Sequence, residues 1–327
     1  MKNLLKNKVF VTIVIAFSAI LLFFGLHFVK TPDTKTDVNL NEQTITNVPI
    51  AMAADDNYTY PTLVSITSLM ENSKKSTLYD IYIMTPGNFT EENKQKLLLL
   101  QDKYGDRCKI TMIDMKNRYK DANDKGHITT PTYYRLSLSS LLPDLNKIIY
   151  LDGDTLIFED LTEMLNINMD KLYYRGFLDN NVHGTEPFGI ENDHYICAGV
   201  MLINLEKLRQ DNMESKFEEF IKENNDKLVQ HDQTVINVLC HEYTDILPAK
   251  YGIFNFSSED SARSYSQNLI AKNRYSEKEM ILAYKKPAIL HCTHKPWTDP
   301  AWNNANLWWN YAEKTGYIDE IKTKYNQ

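Results

Sequence analysis

Short apolar segments alternate with helical patterns along most of this chain, and this alternation restricts the possible folds more than any other feature. Strand-like runs at 48–53, 78–84 and 109–115 are separated by segments that carry apolar residues on one helical face. Such alternation predicts an α/β domain with a largely parallel central sheet. In sheets of this kind, ligands bind at the carboxyl ends of the strands.

The same patterns locate further elements along the chain. They predict helices at 61–72, 90–104, 132–142, 214–225 and 232–240, and strands at 147–151, 172–178 and 198–205. Gly105 is a typical residue for ending the second of these helices. The apolar fraction of 43% is typical of a chain that buries a core. We therefore assign residues 47–327 to a single globular domain.

The amino-terminal segment differs from the rest of the chain. From Val9 to Val29 there is no Asp, Glu, Lys or Arg, and a helix of this length spans about 31 Å, roughly the core of a bilayer. No Ala-x-Ala site closes the run, so we favour an uncleaved single-span membrane anchor at residues 1–30 over a secretory signal peptide. Residues 31–46 form a polar tether. Lysines flank the run on both sides, which leaves the orientation open.

Composition argues against several classes of protein. The net charge is −7 and no dense Lys/Arg run occurs, so a nucleic-acid partner is not indicated. The four cysteines are far apart and form no C-x-x-C pair, which predicts free thiols and neither a zinc site nor a disulfide framework. The Gly-x-Gly-x-x-Gly and P-loop patterns are absent, which argues against a Rossmann dehydrogenase and a kinase.

Two carboxylates follow the predicted strand 147–151 directly. Asp152 and Asp154 are two residues apart, so on an extended segment their side chains point the same way. They can converge on one hard divalent cation, whose natural partner is a diphosphate. A plain Asp/Gly turn at the strand end is the alternative. A phosphohydrolase of the Asp-x-Asp-x-Thr type is disfavoured because Leu156 occupies the Thr position.

Four segments together resemble glycosyltransferase family eight, the retaining group that includes glycogenin and bacterial lipopolysaccharide galactosyl- and glucosyltransferases. They are Ala-Ala-Asp-Asp-Asn-Tyr at 53–58, Leu-Asp-Gly-Asp-Thr at 151–155, Ala-Gly-Val-Met-Leu-Ile-Asn-Leu at 198–205 and His-Cys-Thr-His-Lys-Pro-Trp at 291–297. Their order and spacing match the family from about Val48 nearly to the end. The resemblance implies a GT-A fold, a UDP-sugar donor and a Mn²⁺ or Mg²⁺ cofactor.

The resemblance also implies roles for particular residues. The implied metal ligands are Asp152, Asp154 and His291. The implied donor-binding residues are Ala53, Asp55, Asp56, Asn57, Tyr58, Arg135, Gly153, Ala198, Gly199 and Lys295. The residues implied to act on the donor sugar are Gln233, Asp179 and Asp232. A retaining enzyme uses either a carboxylate nucleophile or a same-face attack assisted by the leaving phosphate, and the resemblance favours the second.

Several of these residues have a structural alternative. Arg135 can be a surface helix residue, Asp232 a helix N-cap, and His291 a hydrogen-bonded histidine of the core. The segment 291–295 is shorter than in several family members, and His294 stands where a Gly-containing turn is expected. His294 is therefore an alternative third metal ligand.

Two further features bear on specificity and location. Cys197 replaces the Asn that often precedes the Ala-Gly pair in this family, and this change can alter the sugar or acceptor preference. Trp302, Trp308 and Trp309 can stack on sugars or lie at a membrane surface. We favour a third interpretation, in which they pack the last helix onto the domain.

The sequence thus predicts a membrane-anchored, metal-dependent retaining hexosyltransferase. It would move glucose or galactose from UDP to a hydroxyl of a glycan or glycolipid, with lipopolysaccharide or a related surface polysaccharide as the leading acceptor. The alternative is a non-catalytic, anchored UDP-sugar-binding or scaffold protein of the same fold. In a bacterium, where UDP-sugars are cytosolic, the catalytic domain would face the cytoplasm. The hexose, the acceptor and the linkage stay open.

Overall fold

The computed structural model describes residues 46–122, 129–180, 184–190, 195–267 and 274–326. The predicted anchor, from Val9 to Val29, and nearly all of the polar tether lie outside these residues. Within the described ranges, no helix is long and apolar enough to cross a membrane.

The described residues form a seven-stranded sheet in the order β3-β2-β1-β4-β7-β6-β8. Its strands are β1 Thr46–Ala53, β2 Thr77–Thr85, β3 Cys108–Asp114, β4 Lys147–Leu151, β6 Tyr174–Leu178, β7 Ile196–Asn204 and β8 Thr244–Ile246. β1 pairs in parallel with β2 and β4, and β2 pairs in parallel with β3. β7 runs antiparallel to β4 and β6. The prediction of a mostly parallel sheet is confirmed.

The reversed direction of β7 decides what meets at the edge of the sheet. Its amino-terminal half lies beside the carboxyl end of β4, where Leu151 pairs with Val200. The Asp152 backbone N–H continues this ladder by donating to the Gly199 carbonyl at 2.8 Å. The Ala198-Gly199 segment therefore lies at the same edge as the Asp-x-Asp turn.

A second, three-stranded sheet brings in a distant segment of the chain. It consists of β5 Thr155–Ile157, β9 Tyr251–Phe254 and β10 Ile289–His291, with β10 in the centre. β10 runs antiparallel to β5, so that His291 pairs with Thr155. The Cys292 N–H donates to the Asp154 carbonyl at 2.9 Å. This pairing places His291 beside Asp154.

The helices cover both faces of the large sheet. They are α1 Thr59–Asn72, α2 Glu91–Tyr104, α3 Leu138–Leu141, α4 Thr162–Leu165, α5 Leu205–Gln210, α6 Met213–Asn224, α7 His231–Leu239, α8 Glu259–Gln267, α9 Glu277–Lys285, α10 Ala305–Lys314 and α11 Ile318–Tyr325. Successive residues of β1 alternate between two cores, with Ile50 and Met52 in one and Ala51 in the other. This alternation is expected when a strand is buried on both faces.

The predicted helix at 132–142 is present, but most of it is of the 3₁₀ type. The chain forms a 3₁₀ helix, Thr130–Ser137, which continues into the single turn α3. The Arg135 side chain donates from Nε to the Thr132 carbonyl at 2.9 Å, and in an α-helix that carbonyl would accept from the backbone N–H four residues later. At this carbonyl the buried Arg135 side chain takes the place of the backbone N–H that an α-helix would supply.

Candidate active site

The strand ends enclose a cleft of about 520 Å³. Most of the residues singled out from the sequence line it: Ala53, Asp55, Tyr58, Arg135, Asp152, Gly153, Asp154, Asp179, Ala198, Gly199, Asp232, Gln233, His291 and Lys295. Asp56 and Asn57 do not line the cleft. The structure therefore brings these residues together around one cleft and leaves Asp56 and Asn57 outside its lining.

Asp152, Asp154 and His291 come together at one side of the cleft. One ligand atom from each lies within 4.8 Å of the other two. His291 Nε2 is 3.2 Å from Asp154 Oδ1 and 3.9 Å from Asp152 Oδ2. The group is drawn from two sheets, because the aspartates follow β4 and the histidine ends β10.

These three residues fit a divalent cation. Asp154 is 4% exposed, and its Oδ1 faces His291 Nε2 at 3.2 Å without a well-aligned hydrogen bond. A buried carboxylate is costly unless positive charge compensates it, and a divalent cation held between the two aspartates and the imidazole would supply that charge. Two carboxylates and one imidazole suit Mn²⁺, and carboxylate oxygens also suit Mg²⁺.

Two glycines give this group its room. A Cβ on Gly199 would overlap His291 Cε1 and lie 2.7 Å from Asp152 Oδ2. A Cβ on Gly153 would lie 2.6 Å from Thr62 Oγ1 in α1. Real Cβ atoms essentially never come this close to another atom, so a side chain at either position would force its neighbours to move.

Charges of both signs are packed around Asp154. The Lys295 ammonium contacts Asp154 Oδ2. Burial opposes ionisation of Asp154, but the charges of Lys295 and His291 outweigh it and lower the pKa of the carboxyl below its usual range. Burial likewise opposes protonation of His291, yet the Asp154 carboxylate raises the pKa of the imidazole to about 10. The Asp154 carboxylate thus favours the protonated form of His291.

Arg135 is buried, with 5% exposure, so the alternative of a surface helix arginine is wrong. Its Nη2 donates to Asp152 Oδ1 at 3.0 Å, and its Nη1 donates to the Ala198 carbonyl. Its Nε is 2.9 Å from Asp232 Oδ2. Burial opposes the charge, but the two aspartates raise the pKa of the guanidinium. Arg135 thus connects a metal-ligand carboxylate to a carboxylate of the sugar side.

Tyr150 belongs to the site although the sequence reasoning did not select it. Its hydroxyl donates to Asp152 Oδ1 at 3.1 Å, and its ring lies 4.2 Å from the Arg135 guanidinium carbon. With Arg135 it occupies one oxygen of Asp152. The signal was present in the sequence, because residues two apart on a strand face the same side.

Gln233 is held in a defined orientation. Its Oε1 accepts from the Ala198 N–H at 2.9 Å, and its Nε2 donates to Asp179 Oδ2 at 3.0 Å. The neighbouring Asp232 is not the N-cap of α7, because that helix begins at His231 and its cap position is Gln230. The Asp232 carboxylate instead accepts from the Thr132 hydroxyl and pairs with Arg135.

In the loop after β1, some polar side chains line the cleft and others bond to neighbouring elements. Asp55 lines the cleft, and its Oδ1 accepts from the N–H groups of Asn57 and Tyr58 at 2.9 and 3.0 Å. Asp56 points away and accepts from the Thr90 N–H at 3.1 Å, at the start of α2. Asn57 is exposed. The described geometry thus leaves Asp55 and Tyr58 as the side chains of this loop that face the cleft.

His294 is turned away from the metal-ligand group. Its ring stacks on Trp302 with centroids 3.8 Å apart, and its Nε2 is 3.0 Å from Asp299 Oδ2. Trp308 is fully buried, and Trp309 donates to the Pro296 carbonyl at 3.3 Å. The interpretation that these tryptophans pack the C-terminal helices onto the domain agrees with this geometry. The four cysteines are free, as predicted.

A mostly parallel α/β sheet with an Asp-x-Asp turn after β4, and a histidine brought beside that turn by the smaller sheet, is the arrangement that the resemblance to glycosyltransferases leads one to expect. The chain belongs to glycosyltransferase family 8, since the family described as Glycosyl transferase family 8 matches residues 49–301. The resemblance noted in the sequence is thereby confirmed.

Curated relatives and a solved structure agree with this assignment. General stress protein A of Bacillus subtilis is 27% identical over 263 residues, which cover 76% of this chain and 86% of the relative. A lipopolysaccharide 1,2-glucosyltransferase of Escherichia coli is 26% identical over 305 residues, covering 89% of this chain and 81% of the relative. The crystal structure of the galactosyltransferase LgtC with donor and acceptor sugar analogs has a TM-score of 0.69 at 22% identity, covering 82% and 96% of the two chains. At that identity the likeness establishes the fold.

Proposed function

We propose that this glycosyltransferase is a metal-dependent, retaining hexosyltransferase that uses a UDP-sugar donor and a glycan or glycolipid acceptor. The observation that carries the proposal is the convergence of Asp152, Asp154 and His291, with Lys295 beside them, in one cleft. A diphosphate-bearing donor is the substrate class that needs both a divalent cation and a lysine at the same place.

The charged residues of the cleft would stabilise UDP as the leaving group. A Mn²⁺ or Mg²⁺ ion held by Asp152, Asp154 and His291 would neutralise charge on the diphosphate. Lys295 contacts Asp154 and would bind the phosphate oxygens of UDP, where negative charge develops. Arg135 and Tyr150 keep one oxygen of Asp152 occupied, so the other oxygen stays directed towards His291. Asp55 and Tyr58 would hold the nucleoside.

The carboxylates of the cleft favour a same-face mechanism. Asp232 is paired with Arg135, Asp179 accepts from Gln233, and Asp55 accepts from the backbone of its own loop. The remaining two, Asp152 and Asp154, cluster with His291. A retaining enzyme with a covalent intermediate needs a carboxylate available to attack the anomeric carbon. We propose instead that the acceptor oxygen attacks on the face that UDP leaves, and that the leaving phosphate takes its proton. Gln233, Asp179 and Asp232 then position the sugar.

The names of the relatives support a hexose donor and a surface-glycan acceptor. The Escherichia coli relative is a lipopolysaccharide 1,2-glucosyltransferase, and the LgtC structure is that of a galactosyltransferase. Glucose and galactose are therefore the first donor sugars to test. Lipopolysaccharide or a related polysaccharide is the first acceptor class to test.

The run from Val9 to Val29 is proposed as a single-span membrane anchor that keeps the enzyme near a lipid-linked acceptor. Membrane fractionation of the full chain and of a chain without residues 1–30 tests this proposal, and a compartment-sensitive reporter at the carboxyl terminus gives the orientation. Membrane association that is lost on deletion of residues 1–30 would support it. A chain that stays in the soluble fraction with the segment intact would contradict it.

The first experiment measures UDP release by the purified chain from a panel of UDP-sugars, with Mn²⁺ and with EDTA. We expect slow hydrolysis of UDP-glucose or UDP-galactose that EDTA abolishes. Asp152→Asn and Asp154→Asn should each lower the rate by at least about 100-fold, a loss typical of one removed electrostatic contact in an active site. Asp144→Asn, at an exposed position outside the cleft, is the matched control and should keep the wild-type rate.

Calorimetry with UDP separates an enzyme from a non-catalytic module of the same fold. The proposed enzyme should bind UDP more tightly with Mn²⁺ than with EDTA. No turnover of any UDP-sugar, together with no UDP binding, would refute the proposal. Near-normal activity of Asp152→Asn or Asp154→Asn would refute the metal role alone.

A further inference from the structure

The thiol of Cys197 lies against the nitrogen of His291 that faces away from the carboxylates. Cys197 Sγ is 3.6 Å from His291 Nδ1, while Nε2 of the same ring is 3.2 Å from Asp154 Oδ1. Cys197 belongs to β7 of the large sheet, and His291 ends β10 of the small one. The contact therefore joins the two sheets at the metal-ligand group.

A ligand histidine needs a partner at its second nitrogen. When Nε2 binds a cation, the remaining ring proton is on Nδ1, and the group that accepts this proton fixes the tautomer and the orientation of the ring. His291 is 5% exposed, so water has little access to that proton. Within the described residues, the hydrogen-bond partner of Nδ1 is Cys197 Sγ.

Phe254 and Gly199, which also border the ring, offer its Nδ1 no side-chain acceptor. Phe254 meets the ring edge-on with ring centroids 5.9 Å apart, and Gly199 leaves it just enough space. Sulfur is a weak hydrogen-bond acceptor. Its contact with Nδ1 nevertheless favours the ring orientation that directs Nε2 towards the carboxylates over the flipped orientation.

We propose that Cys197 is a positioning residue that presents Nε2 of His291 to the metal ion. It acts through His291 and is not itself a ligand, since the group of convergent ligand atoms consists of Asp152, Asp154 and His291. The inference rests on the metal-dependent function proposed above. It gives the cysteine, which departs from the Asn common in this family, a task in this chain.

A double-mutant cycle on metal affinity tests the proposal. Binding of Mn²⁺ to the full chain, with UDP present, is followed by the electron paramagnetic resonance signal of free Mn²⁺. The proteins compared are the wild type, Cys197→Ala, His291→Ala and the double variant. A partner of a ligand histidine typically contributes 10- to 100-fold to metal affinity, so Cys197→Ala should weaken Mn²⁺ binding by about 10-fold.

The coupling between the two substitutions shows whether Cys197 affects Mn²⁺ affinity through His291 or independently of it. In the His291→Ala background, Cys197→Ala should change the Mn²⁺ affinity by less than about 2-fold, because residues that act as a unit are not additive. Pulsed electron paramagnetic resonance of bound Mn²⁺ should show coupling of the metal to an imidazole nitrogen in the wild type and a weaker coupling in Cys197→Ala. Cys197→Ser, which keeps an acceptor, should recover part of the affinity.

Cys240→Ala is the control for cysteine loss as such, because Cys240 is also buried but lies at the end of α7, outside the cleft. It should keep the wild-type affinity. An unchanged affinity in Cys197→Ala, or an equal loss in both backgrounds, would overturn the inference and leave the proposed function standing. A wild type that binds no Mn²⁺ in the presence of UDP would overturn both.

Discussion

At the scale of single residues, Gly199 shows how closely β7 approaches the metal-ligand group. The change Gly199→Ala places a methyl group in overlap with His291 Cε1 and 2.7 Å from Asp152 Oδ2. Either side chain must move, and a displacement of about 1 Å in an active site can cost about 100-fold in rate. We expect Gly199→Ala to lower UDP release by at least this factor and to weaken Mn²⁺ binding.

A glycine elsewhere provides the control for this prediction. The nearest atom to a Cβ built on Gly87 is Lys116 Cα at 3.2 Å, which a small backbone shift relieves. Gly87 does not line the cleft, so Gly87→Ala should keep nearly full activity. Equal activity of the two variants would mean that the described approach of Gly199 to His291 is not maintained during turnover.

The contact of His291 with Asp154 predicts how the stability of the protein depends on pH. Burial opposes its charge, but Asp154 raises the pKa of its imidazole to about 10, well above the ordinary value of about 6.5. The stabilisation from a raised pKa is fully present below the unfolded-state pKa and is lost as the pH rises through the folded-state pKa. Without metal, this contribution is therefore present at pH 6 and lost between about 6.5 and 10.

Urea unfolding in EDTA measures this contribution by comparing the wild type with His291→Gln. From pH 6 to pH 10 the wild type should lose more unfolding free energy than the variant. The difference should exceed about 1.4 kcal/mol, the equivalent of one pKa unit. Parallel pH profiles of the two proteins would contradict the ion pair of His291 with Asp154.

At the scale of elements, the start of α2 depends on a residue from another loop. Asp56 Oδ1 accepts from the Thr90 N–H, the Thr90 hydroxyl and the Asn93 amide at 3.1, 2.8 and 2.7 Å. Burial raises the pKa of Asp56, but these hydrogen bonds outweigh it and lower the pKa overall. We expect Asp56→Ala to cost about 1 kcal/mol, as the loss of a helix cap does, with little effect on UDP release.

The sign of the pH dependence follows from the lowered pKa of Asp56. Its stabilisation is present above the unfolded-state pKa of about 4 and is lost as the pH falls through the folded-state pKa. The difference in urea midpoint between the wild type and Asp56→Ala should therefore be full at pH 7 and should shrink as the pH falls below about 4. A difference that does not shrink would mean that the carboxylate charge has no role.

Elements with strong local signals were predictable from the sequence, and elements defined by tertiary contacts were not. For α2, the capping Thr90 and Gly105 at φ 61° agree with the prediction closely. β5 and β10 have three residues each, too short to show a period. The 3₁₀ type of the helix at 130–137 was missed because the buried Arg135 side chain bonds a carbonyl of this helix. A sequence pattern does not reveal such a contact.

At the scale of the whole molecule, the site could be predicted because its residues follow strand ends and carry family motifs. The sequence could not show that Asp56 points away from the cleft, since it follows Asp55 directly and only the packing of α2 separates their roles. It could not show the contact of Cys197 with His291 either. That contact depends on two sheets meeting, and the residues are 94 positions apart.

The C-terminal helices are tied to the site through a cluster of aromatic rings. The Trp308 ring lies 5.2 Å from that of Trp297 and 6.3 Å from that of Tyr325, and Trp297 in turn lies 6.1 Å from Tyr58. Trp297 follows Lys295 in the chain, and Tyr58 lines the cleft. Loss of Trp308 should therefore affect both the stability of the domain and the seating of the donor.

Trp308→Ala should lower the unfolding free energy by about 3–5 kcal/mol, the usual cost of removing a buried tryptophan, and should raise KM for the donor more than it lowers kcat. Trp308→Phe should cost less, because within the described residues the indole Nε1 of Trp308 has no hydrogen-bond partner to lose. The neighbouring Trp309 is only partly buried, so Trp309→Ala should lose less than half as much. Urea unfolding and donor kinetics of the three variants check this order. If Trp309→Ala proves as damaging as Trp308→Ala, burial in the aromatic cluster is not what joins these helices to the site.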